Sequence, residues 1–159
     1  RSYRCRKTYK MRILVQRSKN SSVTVDNKVI GQINKGLVLF VSFTQNDSIN
    51  EIDYLVNKVL NLRIFDDENG IMNKSILEVG GSILSISQFT LYADSTKGNR
   101  PSYKNALNGI KAEELYKIFN ERLQKKIEVQ TGKFGANMLV KIENDGPITI
   151  ALERRGKCE

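Results

Sequence analysis

With no histidine anywhere in the chain, a Ser-His-Asp or Cys-His hydrolase and a histidine-ligated metal are excluded. Chemistry is left to carboxylates, lysines, hydroxyls, backbone amides or the substrate itself. The hydroxyl that stands out is Thr90, in the stretch S-I-L-S-I-S-Q-F-T-L-Y-A-D at 82–94. Leu84 and Ile86 are apolar on even positions there, Phe89 and Leu91 on odd ones. Strand side chains alternate, so both sets reach one core only if the backbone slips by a residue between them. A β-bulge or a strand end at Ser87-Gln88 would provide that slip, and bulges gather beside active sites. Thr90 would then point away from the core that Phe89 and Leu91 enter. On spacing alone, a strand with a solvated hydroxyl face is the favoured reading, and something further is needed to make this a site.

Three other stretches carry polar chemistry. Asp66, Asp67 and Glu68 open D-D-E-N-G at 66–70, but their spacing is not that of a calcium loop, and a solvated turn accounts for them. The polar loop D-S-T-K-G-N-R-P at 94–101 holds Lys97 and Arg100, a lip that could contact phosphates or an ordinary surface loop. T-G-K-F-G-A-N-M at 131–138 is punctuated by glycine, yet it lacks the spacing and the Gly-Lys-Ser/Thr ending of a P-loop. Cys5 and Cys158 lie in the two tails, which gives neither a disulfide framework nor metal-ligand spacing.

The elements that must position these residues follow from pattern. The chain has 159 residues and 40% hydrophobic content, enough for one domain with a full core. Residues 12–17 read as a first strand, 23–25 and 28–33 as a hairpin about Asp26-Asn27, and 36–43 as a central strand buried on both faces. Ser48-Ile49-Asn50-Glu51 is a capping-box pattern. Behind it Ile52, Leu55, Val56, Val59 and Leu60 take helical spacing. A second amphipathic helix covers roughly 112–124, with Leu115, Ile118, Phe119 and Leu123 on one stripe. The alternating segments 138–143 and 147–152 predict a closing hairpin, with Gly146-Pro147 projecting at its tip because proline has no amide hydrogen for a ladder. The expected fold is a single α+β domain, a largely antiparallel, barrel-like β core with two main helices.

The formal charge is +9, but five of the 26 lysines and arginines (Arg1, Arg4, Arg6, Lys7, Lys10) precede Met11 with no acid among them. The expected division is therefore a basic extension over 1–10, a domain over 11–153 and a tail over 154–159. The body is moderately basic, which favours a polyanionic partner. No apolar run approaches the ~20 residues of a membrane span. The basic start lacks the apolar segment of a signal peptide, so a cytoplasmic protein is expected.

From Met11 to about Leu152 the chain resembles the D-aminoacyl-tRNA deacylases. The most specific matches are Ser87-Gln88-Phe89-Thr90-Leu91 and Asn144-Asp145-Gly146-Pro147-Ile148-Thr149. Lys97-Gly98-Asn99-Arg100-Pro101-Ser102 and the 131–138 segment support them. Ile148 stands where valine is usual, Tyr103 where phenylalanine is common and Ser18 where valine is common; none touches the expected chemistry. The resemblance implies a homodimer that hydrolyses the ester between a D-amino acid and the terminal adenosine of tRNA, acts also on glycyl-tRNA, and needs no metal or cofactor. It implies Ser87, Gln88, Phe89 and Thr90 as the catalytic group, and Gly146, Pro147, Phe134, Ala136 and Met138 as substrate-binding residues. Lys97 and Arg100 become tRNA contacts. It further implies a cis Gly146-Pro147 bond that enters the pocket of the other subunit and rejects L-aminoacyl-tRNA.

Two mechanisms fit these residues. Thr90 could attack the ester itself, with Lys97 or a carboxylate recruited as base. Alternatively, the vicinal ribose hydroxyl orients or activates a water, amides near Phe89-Thr90 hold the oxyanion, and Thr90 only positions the substrate. The second needs fewer unobserved parts. Outside enzymology, a non-catalytic basic RNA-binding dimer would explain the charge, although basic residues interleaved with exposed aromatics are not evident. A small structural dimer would have no affinity for tRNA.

Overall fold

A computed structural model describes residues 9–155. Its frame is β1, Tyr9–Val25, a strand of 17 residues. Asp26 and Asn27 follow at φ 50° and 63°, the paired positive values of a tight turn whose twist matches its flanking strands. The chain returns as β2, Lys28–Ile33, antiparallel to the second half of β1. Next comes β3, Gly36–Ser42, antiparallel to the first half. Leu37, Leu39 and Val41 face one side of β3 and Val38 the other, all buried, as the continuous apolar run requires.

Helix α1, Ile49–Asn61, starts at the Ser48 cap, whose amide donates to Glu51 Oε2 at 2.7 Å. The small hairpin β4, Phe65–Asp66, and β5, Met72–Lys74, follows. After it a one-turn helix α2, Ile76–Val79, carries its own Ser75/Glu78 capping box. These short pieces go beyond the two main helices expected. Strand β6, Ser82–Ser87, then runs parallel to β3. Helix α3, Gly109–Gln124, crosses to β7, Val129–Thr131, which runs parallel to β6. Last is β8, Leu139–Arg155, antiparallel to β1 along most of its length.

The sheet order is β2-β1-β3-β6-β7, with β8 on the free side of β1. The sheet curls until β2 touches β6 and β7, giving a nearly closed barrel. Glycine at 31 permits this approach: a Cβ there would lie 3.0 Å from the Thr131 carbonyl O and 3.3 Å from Leu84 Cδ1. Inside, α1 and α3 pack Ile52, Leu55, Val59, Leu115, Phe119 and Leu123 on one face of the sheet. Val23, Ile33, Val38, Leu84 and Ile86 form a second cluster.

Three expectations need correction. Of the bulge and the strand end offered at Ser87-Gln88 the strand end forms, with the Gln88 amide bonding the Val41 carbonyl at 2.8 Å, but Phe89–Tyr92 continue as a 3₁₀ helix instead of a second core-facing stretch. Phe89 is consequently 47% exposed rather than in the core; the phase change marks a strand end. The closing hairpin does not form. Both halves of 138–152 pair with the same partner, since β1 is long enough to serve each, and Asn144-Asp145-Gly146 makes a bulge within β8 instead of a turn. The second helix begins at Gly109, three residues before Ala112. Strand pairing also reaches Tyr9 and Lys10 against Arg155 and Arg154, two residues past each expected limit of the domain. The rest of the 1–10 extension, most of the 154–159 tail, and both cysteines lie outside the described residues.

Candidate active site

A cleft of about 420 Å³ opens where β3 and β6 end. Four segments far apart in sequence wall it: Val41 to Phe43 at the end of β3; Ser87, Gln88 and Phe89; Phe134, Ala136 and Met138; and Asn108 with Gly109 at the start of α3. Six residues expected at the site from sequence thus meet around one space. The Asn108-Gly109 wall was missed, although Asn-Gly ahead of a helical stripe is a legible cap signal.

Thr90 is half-buried and lies in the 3₁₀ helix just beyond the lining residues. The Gln88 side-chain amide donates to Thr90 Oγ1. A ring contact of 5.2 Å between centroids, edge to face, sets Phe89 against Tyr103. Across the cleft, the Ser85 carbonyl accepts from Tyr116 Oη at 2.7 Å and from the Gly132 amide at 3.2 Å. Tyr116 and Phe134 rings are 6.0 Å apart. One carbonyl therefore ties β6, α3 and the 131–138 loop together. Burial pushes the Tyr116 phenol up, so it stays a donor.

None of the residues lining the cleft carries a titratable side chain. The nearest candidate for an unusual base is Asp47, whose carboxyl burial pushes up to about 6. Its Oδ2 instead accepts the amides of Met11 at 3.1 Å and Thr44 at 2.7 Å, and it does not line the cleft. Among the described residues no three His, Cys, Asp or Glu side chains group to hold a metal ion.

Gly146 and Pro147 are exposed and do not line the cleft of their own chain. Two steps along β1, from Ser18 to Gln16, face five along β8, from Asn144 to Thr149, so the surplus residues bulge outward. The Gly146-Pro147 bond is cis, and Gly146 has φ 121°. A Cβ at 146 would stand 2.8 Å from Ile148 Cγ1 and 2.9 Å from the Ile148 amide N, which no other residue fits without distortion. Arg17 braces the bulge from beneath. Its Nε donates to the Asp145 carbonyl at 3.3 Å and its Nη1 to the Ile64 carbonyl at 2.8 Å, with Asp66 and Asp145 carboxylates at 3.5 and 3.3 Å. Asn144 Nδ2 donates to the Arg17 and Ile148 carbonyls at 3.0 and 3.1 Å. Arg17 was invisible in sequence; an arginine in a strand reads as surface until its 8% exposure is known.

Lys97 and Arg100 are exposed in a loop closed by the Asp94–Ser102 bridge and are not part of the lining.

The arrangement can hold an ester beside main-chain amides, a hydroxyl and an amide side chain, without a general base from the lining. Residues 14–153 match the family model described as D-Tyr-tRNA(Tyr) deacylase. A D-aminoacyl-tRNA deacylase of Bacillus cytotoxicus is 53% identical over 146 residues, covering 91% of this chain and 100% of the relative. That of Clostridium novyi is 52% identical, covering 91% and 98%. Among solved structures, a c-Myc DNA unwinding element binding protein superposes with TM-score 0.85 at 40% identity, covering 90% of this chain and 98% of the other. A probable eukaryotic D-amino acid tRNA deacylase gives 0.78 at 17% identity, covering 91% and 99%, a likeness of fold.

Proposed function

Since the chain belongs to the D-Tyr-tRNA(Tyr) deacylase family, and is a hydrolase of the ester in D-aminoacyl-tRNA, we propose that its cleft performs this reaction by substrate-assisted attack of water. The observation that carries the reading is the cleft lining: Ser87, Gln88, Phe89, Phe134, Ala136 and Met138 surround it, and no titratable side chain does. A threonine nucleophile would need a base at hand. The ribose 2′-hydroxyl can orient the attacking water where the lining offers no titratable side chain, and an aminoacyl ester is labile enough for positioning to suffice. Water adds to the carbonyl carbon, the ester C–O bond breaks, and a proton ends on the departing ribose oxygen. The amides of Phe89 and Thr90 open the 3₁₀ helix and have no partner within it, which suits them to the oxyanion.

Chirality is assigned to Gly146 and Pro147 acting in the cleft of a partner copy, in a homodimer. Their exposure on a braced bulge outside their own cleft supports this. Main-chain carbonyls there would take the substrate ammonium and leave no room for an L side chain, so selection works by exclusion. Glycine, with nothing to exclude, is then hydrolysed as well, including glycine mischarged on tRNA-Ala. Lys97 and Arg100 are assigned to the tRNA backbone, and the cytoplasm is the compartment where that substrate is met. Hydrolysis of D-, L- and glycyl-tRNA side by side tests the reading. Release from the D and glycyl substrates with the L ester intact is expected; equal release from all three, or binding without release, would overturn it.

A further inference from the structure

We propose that Arg12, which does not line the cleft, is the positioning residue of the turn that presents Phe89 and Thr90; the inference rests on their assignment to the reaction. Arg12 stands in β1 opposite Ser42 of β3 and Glu153 of β8. Its Nη1 donates to the Leu91 carbonyl at 2.9 Å. Its guanidinium carbon lies 4.5 Å from the Tyr92 ring centroid, and Nε is 2.9 Å from Glu153 Oε1. One planar group thus meets a carbonyl with its edge, an aromatic ring with its face and a carboxylate with its Nε side. Lysine, a point charge on a flexible stem, cannot serve all three.

The turn needs such a hold. A four-residue 3₁₀ helix has little stability of its own. Residue 88 provides no side-chain cap, and the main-chain bonds at its two ends, from the Leu91 amide to Gln88 O at 3.3 Å and from the Ala93 amide to Thr90 O at 3.0 Å, are all that join its backbone to its flanking residues. Arg12 adds a charge-assisted bond to the carbonyl directly after Thr90. Tyr92 is 5% exposed, so the stacked ring is a fixed platform. The clamp ties the 3₁₀ helix to both β1 and β8, the frame that also carries Gly146 and Pro147. Catalysis by main-chain amides depends on placement, and a displacement of about 1 Å costs on the order of 100-fold.

The test uses the whole protein with D-aminoacyl-tRNA, comparing Arg12→Gln and Arg12→Lys with the unmodified chain. Arg12→Gln is expected to lower kcat about 10- to 100-fold with KM little changed, and Arg12→Lys to restore only part of it. Amide hydrogen exchange gives a readout independent of turnover. The Ala93 amide should exchange faster in Arg12→Gln, while that of Leu39 in β3 is unchanged. Should that variant fail to fold, Glu153→Gln loosens the Nε side alone and should give a smaller kcat loss in the same direction. Unchanged kcat with a lowered Tm would reduce Arg12 to a structural ion pair, and a raised KM with weaker salt dependence would make it a tRNA contact; either overturns the proposal. Faster Ala93 exchange in a protein with no deacylase activity would keep the clamp and sink the functional reading. Unaltered Ala93 exchange in an active enzyme would sink the clamp alone.

Discussion

Thr90 Oγ1 accepts a hydrogen bond from Gln88, and an accepting hydroxyl retains its own proton to donate. That suits a group that orients a substrate oxygen or a water better than one that must lose its proton to attack. Thr90→Ala is therefore expected to keep measurable deacylation, with a loss of about 10- to 100-fold at most, the scale of one positioning hydrogen bond. A tRNA lacking the terminal 2′-hydroxyl should be a very poor substrate for the unaltered protein. Mass spectrometry of quenched reactions checks both at once, because an acyl group trapped on Thr90 would make the catalysis covalent. Arg17 works at the same scale on the other half of the proposed site. Arg17 is 8% exposed, and its guanidinium touches two carboxylates and two carbonyls. Removing the guanidinium leaves the buried Ile64 carbonyl without its donor, while the Asp66 and Asp145 carboxylates remain open to water, so Arg17→Met should cost about 1–3 kcal/mol of stability, measured by urea unfolding.

At the scale of elements, the loop from β3 into α1 stores a charge where water does not reach. Burial, the largest cause, pushes Asp47 up from 3.8 to about 6, against the lowering effect of the Thr44 and Met11 amides. The folded form thus binds a proton that the unfolded chain has already released between those two values. Stability assigned to Asp47 is fully present below about pH 4 and is lost as pH rises to about 6. Raising the carboxyl from 3.8 to about 6 corresponds to about 3 kcal/mol across its whole titration. Glu51 in the adjoining capping box is lowered and works the other way, so the comparison must isolate Asp47. Asp47→Asn keeps an oxygen for both amides and removes the titration. The unfolding free energy of the unaltered protein minus that of the variant is expected to fall by about 2 kcal/mol from pH 4 to pH 6.5; a flat difference would refute the assignment.

At the scale of the whole molecule, the proposed dimer has a signature that a single-chain site cannot imitate. Gly146→Ala disrupts the bulge, by the close approach of its Cβ to Ile148, and leaves its own cleft intact. Ala136→Trp fills the cleft and leaves the bulge intact. Each variant alone should be inactive. In mixed dimers of a symmetric pair, one site joins the sound cleft of the first chain to the sound bulge of the second. Random exchange of equal amounts should therefore restore about a quarter of the activity. No recovery, with mixed dimers demonstrated by mass, would place cleft and bulge of one site in the same chain. The same assay in separated monomers, if they persist at working concentration, would remove the need for a partner altogether.

How much of this was legible in the sequence divides along the range of the forces involved. The Asp26-Asn27 turn, the Ser48/Glu51 cap and the buried run of β3 are decided by interactions within a few residues, and each is readable from types and spacing. The residues of the cleft could be collected from the resemblance, without any statement of how they meet. What pairs with what was another matter. Alternation in 138–152 is the same for a hairpin and for one bulged strand, because period 2 describes faces and not partners. The choice fell to β1, whose Arg17 bonds residues 127 and 128 positions away at Asn144 and Asp145. The same long strand put Arg17 under the bulge and Arg12 against Leu91. Local patterning by itself determined the Asp26-Asn27 turn, the Ser48/Glu51 cap and the buried strand β3. Only the tertiary structure decided where the strands bend, since the cost of an unpaired backbone or a buried charge is set by groups that the chain brings near after it has folded.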